Sequence, residues 1–255
     1  MSKSLLANKA RNGYALFDLD QTLAPWDMQL LFANWVFHKH PLRRIYLVFF
    51  LICVPFTKIL GARRLKRLFL AILHRMPAHD LDQLCREFSD HYCPKIFYPE
   101  IVELLEQQQA QGRLCVLTSA SPFLYVRYIG EKLGFDYTFG TMVTTPKRLP
   151  LIPEIIENNK SEVKTKRLRY WLDQNGVSES FPLPNSTAYT DSSADLPLIE
   201  ITENAVLVHP SESLESMVKD TLKKPYKVFT PTRPFHSDWG HFTSAVKKLL
   251  GLYPI

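Results

Sequence analysis

Short apolar runs near residues 14–19, 113–118, 186–190 and 205–208 have the composition of β-strands, and helical patterns separate them. One helix starts with Pro99 in an early position and carries Ile101, Leu104 and Leu105 toward Gly112. A second runs from about Pro122 to Leu133 before Gly134, and a third from about Ser161 to Gly176. Strands alternating with helices predict an α/β fold, a Rossmann-like parallel sheet with helices on both faces.

Residues 27–97 interrupt this rhythm. They are helical and apolar without a convincing strand, and they fall between the first and second predicted core strands. The pattern therefore predicts an α-helical cap inserted after the first strand. The catalytic core is expected over 1–26 and 98–225, the cap over 27–97 and a C-terminal extension over 226–255. The Pro-rich stretch "PYKVFTPTRPFHSDW" predicts a tail extended across the surface.

Composition narrows the class only modestly. The 255 residues are 46% hydrophobic, ordinary for a globular chain, and the net charge of +6 is spread over many segments. The basic clusters lack the interleaved aromatics of a nucleic-acid site, so no nucleic acid is expected as partner. Cys53, Cys85, Cys93 and Cys115 stand apart without a C-x-x-C pair, which signals neither zinc nor a disulfide framework. "MSKSLLANKARNG" lacks the apolar stretch of a secretory signal, which places the chain in the cytoplasm or at the cytoplasmic side of the membrane.

Ligands of an open parallel sheet collect at the carboxyl ends of its strands, and three predicted strand ends carry polar groups. The first is Asp18-Leu19-Asp20-Gln21-Thr22, whose two aspartates point the same way if the strand continues. In the second, "CVLTSASP", hydroxyls and a helix N-terminus could receive a phosphate. The third is "AYTDSSADLPLIE", with Asp191 and Asp195 after a strand ending near Thr190. Singly each is an ordinary loop; their order along the chain is what carries information.

These residues resemble the haloacid dehalogenase superfamily of phosphotransferases, marked by D-x-D-x-T, a Ser or Thr at a strand end, a Lys and an acidic pair. The match spans about 15–210, and the inserted cap with "SASP" and "DSSADLPLIE" is most similar to the phosphoserine phosphatase branch. The resemblance implies a Mg²⁺-dependent phosphomonoester hydrolase working through an aspartyl-phosphate. Asp18 would be nucleophile and metal ligand, and Asp20 the general acid and base with its main-chain carbonyl on the metal. Asp191 would complete the ligands, Asp195 would orient neighbouring groups, and Ser119 would bind phosphoryl oxygens. Thr22 would hydrogen-bond near Asp18. The charge-balancing lysine is one of Lys160, Lys164 and Lys166; the family's K-x-x-x-L setting favours Lys164 with Leu168. Gln21 departs from the Gly found in many relatives.

The cap bears on substrate. Ile45 to Phe56 is apolar throughout, and its extension to Leu60 gives about 24 Å of helix, short of a bilayer core of roughly 30 Å. "ARRLKRLFLAILHRM" places Leu65, Leu68, Phe69, Ile72, Leu73 and Met76 at helical spacing behind Arg63, Arg64, Lys66 and Arg67, a basic amphipathic helix. Two readings stand: contact with an anionic membrane, or a bundle whose apolar sides pack together. The first makes the substrate a lipid phosphate, and the layout is similar to the bacterial phosphatidylglycerophosphatase C type. The alternatives are a small soluble phosphomonoester such as phosphoserine, or a catalytically idle scaffold at the membrane.

Overall fold

The computed structural model describes residues 3–53, 57–177, 180–234 and 238–254. A helix, α1 (Lys3–Asn12), leads into β1 (Tyr14–Phe17), after which the chain leaves the sheet for α2 (Met28–Lys39), a 3₁₀ turn at Pro41–Tyr46, α3 (Leu47–Cys53), α4 (Thr57–Phe69) and α5 (Ala78–Tyr92). It returns through α6 (Pro99–Ala110) to β2 (Leu114–Pro122), α7 (Phe123–Lys132), β3 (Tyr137–Val143) and β4 (Ile155–Glu157). The remainder is α8 (Glu162–Gln174), β5 (Leu183–Thr190), α9 (Leu196–Glu200), β6 (Thr202–Val208), α10 (Glu212–Ser216), β7 (Tyr226–Phe229) and α11 (Asp238–Leu250).

The seven strands run in the order β4-β3-β2-β1-β5-β6-β7. Every pairing is parallel except β3 with β4. All four residues of β1 are buried, as a central strand covered on both faces requires. On one face Phe17, Leu117 and Tyr189 join the apolar sides of α2, α5, α6 and α7; on the other Leu16, Val116 and Ala188 meet α1, α8 and α9. The α/β class and the helical insertion after the first strand are as the hydropathy pattern predicts.

The sequence pattern missed α1, β3, β4 and β7. α1 buries only Leu6 and Ala10, too few positions for a visible stripe. β3 contains Gly140, where the strand passes so close to α7 that a Cβ would lie 2.8 Å from Phe123 Cα. The tail does not lie extended over the surface: β7 adds a seventh strand, and α11 packs against α2. Phe235, His236 and Ser237 of that stretch lie outside the described residues.

The basic amphipathic helix also takes the packed alternative. Phe69, Ile72, Leu73 and Met76 are buried. Its cations reach the core's main chain: Arg63 donates to the Ile155 carbonyl, Arg67 to Pro153 at 2.8 Å and Lys66 to Ala120 at 2.6 Å. In the apolar run Leu47 is buried and Phe50 packs edge-on against Phe69, whereas Ile45, Val48, Leu51 and Ile52 are exposed. Val54, Pro55 and Phe56 lie outside the described residues. Among the described residues no helix is long and apolar enough to cross a membrane.

Phe32 of α2 fastens the insertion to the core, with ring centroids 4.7 Å from Tyr125 on α7 and 5.2 Å from Phe88 on α5. Truncating a ring so placed removes transfer energy and leaves a cavity. Phe32→Ala is expected to cost about 3–5 kcal/mol in urea unfolding. A loss below about 1 kcal/mol would show that the insertion does not depend on this contact.

Candidate active site

The carboxyl ends of β1, β2 and β5 meet above the centre of the sheet. Asp18 follows β1 directly, and its N–H donates to the Tyr189 carbonyl of β5 at 2.9 Å while Phe17 stacks on Tyr189 at 4.0 Å. The backbone that carries the first aspartate is thus fixed by the strand that delivers Asp191. A cavity of about 190 Å³ opens there, lined by Asp18, Asp20, Gln21, Ala120, Lys160, Lys164, Asp191 and Asp195.

Lys164, in the first turn of α8, is 3% exposed; its Nζ lies 2.6 Å from Asp18 Oδ1 and 2.8 Å from Asp195 Oδ1. Burial opposes its charge, but Asp18 and Asp195 more than offset that and its pKa ends above the usual lysine value. Lys166 instead pairs with Glu162 on the surface, and Lys160 lines the cavity from an exposed position. Thr190 Oγ1 donates to Asp195 Oδ2 at 2.9 Å, so Asp195 is fixed from strand and helix together and in turn orients Lys164.

Burial, followed by Coulomb interactions with Asp195, Asp191 and Asp20, pushes the Asp18 carboxyl well up; the Lys164 ammonium only partly counters this. Burial likewise lifts Asp191 to about 6, against the lowering effect of the Thr22 hydroxyl. The Thr22 hydroxyl bonds beside Asp18: its Oγ1 donates to Asp191 Oδ1 at 3.1 Å. Ser119 Oγ donates to Asp20 Oδ2 at 3.0 Å, so its hydroxyl stands between the first and second motifs.

The residues brought together include several that the sequence pattern did not reveal. Ser121 Oγ donates to Asp20 Oδ2 at 2.9 Å, and the Met28 N–H, at the start of α2, donates to Asp20 Oδ1 at 2.7 Å. Asn159 Nδ2 donates to Thr118 Oγ1 at 3.1 Å and the Ser119 carbonyl at 2.9 Å, pinning the end of β2. Lys66 enters from the insertion, and burial lowers its pKa to about 8 although Asp20 favours its charge. Ser121 was legible in principle: β2 continues to Pro122, and period-two alternation then puts residues 119 and 121 on one side. Nothing in the sequence marks Asn159, and Lys66 was legible only as a cation of the amphipathic helix.

The model for haloacid dehalogenase-like hydrolases matches residues 15–200. The chain belongs to that family, a phosphoric monoester hydrolase of its phosphoserine phosphatase-like branch. Phosphoserine phosphatase SerB1 of Mycobacterium tuberculosis is 22% identical, over 81% of this chain and 68% of its own. Histidinol-phosphatase of Neisseria meningitidis is 24% identical, over 81% of this chain and 94% of its own. The crystal structure of a Bordetella pertussis protein of unknown function shares the fold, with TM-score 0.70, 22% identity and coverage of 84% of this chain and 96% of that one.

Phosphatases of the family are typically Mg²⁺-dependent. The donors here suit such an ion: all are oxygens, and Asp18, Asp20 and Asp191 line one small cavity. Among the described residues no three Asp, Glu, His or Cys side chains form a metal cage. The expected set is instead two carboxylates and one main-chain carbonyl.

Because protons compete for Asp191, thermal stabilisation by Mg²⁺ is expected to be complete only well above pH 6 and to fade as pH falls through about 6. Melting curves with and without Mg²⁺ from pH 5 to 8 test this, with Asp191→Asn expected to abolish the Mg²⁺ shift at every pH. A shift that survives in that variant removes Asp191 from the ligand set.

Proposed function

We propose that the chain hydrolyses the phosphomonoester of a small soluble metabolite through an aspartyl-phosphate on Asp18. The carrying observation is the buried Asp18–Lys164–Asp195 chain facing Asp20 and Asp191 in one small cavity. A volume of about 190 Å³ has room for a phosphoryl group. The phosphoserine and histidinol phosphatases among the relatives favour the same substrate class.

An Asp18 carboxylate oxygen attacks phosphorus, the ester P–O bond breaks, and Asp20 gives its proton to the departing alcohol oxygen. Water then attacks the phosphorus of the Asp18 phosphate and yields its proton to Asp20. The bond to Asp18 breaks, releasing inorganic phosphate and restoring both residues. Lys164 steers Asp18 and balances phosphoryl charge, held in turn by Asp195, while Ser119 offers its hydroxyl to a phosphoryl oxygen. Asp18, Asp191 and the Asp20 carbonyl would hold Mg²⁺, with Thr22 orienting Asp191. When bound, the cation neutralises charge that would otherwise repel the attacking carboxylate.

A screen pairing soluble phosphomonoesters with detergent-dispersed lipid phosphates, in Mg²⁺, tests reaction and substrate together. Soluble monoesters are expected to turn over, and Asp18→Asn to lower kcat at least ~10⁴-fold, as loss of a nucleophile does. Normal turnover by Asp18→Asn would remove the covalent mechanism, and turnover confined to lipid phosphates would remove the substrate class.

One observation favours a second reading, a phosphate ester presented at a membrane surface. Leu42, Ile45, Val48, Leu51 and Ile52 are exposed on the insertion, and Trp239, Phe242 and Val246 at helical spacing on α11. Arg44 links the two elements through the Leu250 and Gly251 carbonyls, and no Asp or Glu occurs from Met28 to His79. On this reading the protein sediments with phosphatidylglycerol vesicles and Ile45→Glu/Ile52→Glu releases it. Recovery of wild-type protein wholly in the supernatant eliminates it.

A further inference from the structure

The Asp20 carboxylate receives three hydrogen bonds from two elements. Met28 N–H of α2 occupies Oδ1 at 2.7 Å, while the Ser119 and Ser121 hydroxyls of β2 share Oδ2 at 3.0 and 2.9 Å. The two serines are not equivalent. Ser119 Oγ is fully buried and also accepts the Ser121 N–H at 2.9 Å. Its single proton is spent on Asp20.

A phosphoryl oxygen only accepts hydrogen bonds, so the Ser119 hydroxyl must turn its proton from Asp20 to the substrate to serve it. Asp20 would then lose one of its two holds on Oδ2 at the moment it must face the leaving oxygen. Ser121 supplies the other hold: it lies two residues further along the same strand, on the same side, and is 5% exposed.

We propose that Ser121 is a positioning residue for Asp20. Its hydroxyl keeps the carboxyl group aimed between the leaving oxygen and the attacking water while Ser119 is engaged by phosphate. This rests on the aspartyl-phosphate reading above. Ser121 acts through Asp20 and does not touch the phosphoryl group, so its loss weakens proton transfer without weakening substrate binding.

The two half-reactions separate that role from a packing role. p-Nitrophenolate departs from phosphorus without needing a proton, whereas an alkoxide needs one, and water attack on the phosphoenzyme needs Asp20 as base with either substrate. Rapid mixing of Ser121→Ala with p-nitrophenyl phosphate and Mg²⁺ is therefore expected to show a burst of about one p-nitrophenolate per enzyme at nearly the wild-type rate, then a steady state slowed roughly tenfold. On an alkyl phosphomonoester kcat should fall by at least about tenfold with KM unchanged, and Ser121→Thr should restore it.

Burst and steady state slowed equally would assign Ser121 a structural role and overturn the proposal. A raised KM with unchanged kcat would place Ser121 on the substrate, and wild-type behaviour of Ser121→Ala would leave it no role; either also overturns the proposal. Wild-type enzyme that releases no p-nitrophenolate and turns over no alkyl monoester would instead overturn the hydrolase mechanism on which the proposal stands.

Discussion

Four carboxylates and one buried ammonium share the space above β1, β2 and β5, and most of the surrounding architecture answers to that crowding. Unpaired buried charge costs several kcal/mol per ion, so the site persists only if each carboxylate has a donor. Asp195 has Lys164 and Thr190; Asp191 has Thr22; Asp20 has two serines and a helix N–H; Asp18 has Lys164. Four carboxylates against one buried ammonium leave excess negative charge, which adds to burial in raising the Asp18 and Asp191 pKa values. That excess is what a divalent cation would relieve.

The sheet makes this arrangement rigid. Parallel pairing sets Phe17 beside Tyr189 and Leu117, so three loops leave from one edge of the sheet in fixed register. The insertion is tied into the same place. Met28 N–H, at its first helical turn, bonds Asp20, and Lys66 reaches the Ala120 carbonyl beside the cavity. Movement of the insertion relative to the core would therefore be felt at Asp20 before any other carboxylate.

α11 makes the tail part of that clamp. Lys248 lies 3.3 Å from the Trp26 ring centroid and 4.1 Å from that of Tyr253, and donates to Ser244 Oγ at 2.6 Å. Burial brings its pKa down to about 7. Trp26 stands in the loop between Asp20 and α2, so the C-terminal helix braces the connection from β1 to the insertion. The proline-rich stretch read as a tail extended across the surface instead contains β7 and leads into α11.

The sequence by itself determined the α/β alternation, the place of the insertion and the polar groups that follow the strands, because a central parallel strand must be apolar throughout and its polar successors must lie at its carboxyl end. Lys164 was favoured over Lys160 and Lys166 only through the family's K-x-x-x-L setting, and its burial between Asp18 and Asp195 came from the fold. What each group touches was decided by tertiary structure. Thr22 serves Asp191 from 169 residues away, and Lys66, read in the sequence only as a cation of an amphipathic helix, and Asn159 both reach β2. A hydrogen bond depends on which donor arrives within about 3 Å after folding, and hydrophobic periodicity carries no information about such meetings. The same reason hid β4 and β7, edge strands too short for a period to register, whose existence depends on a neighbour's open edge.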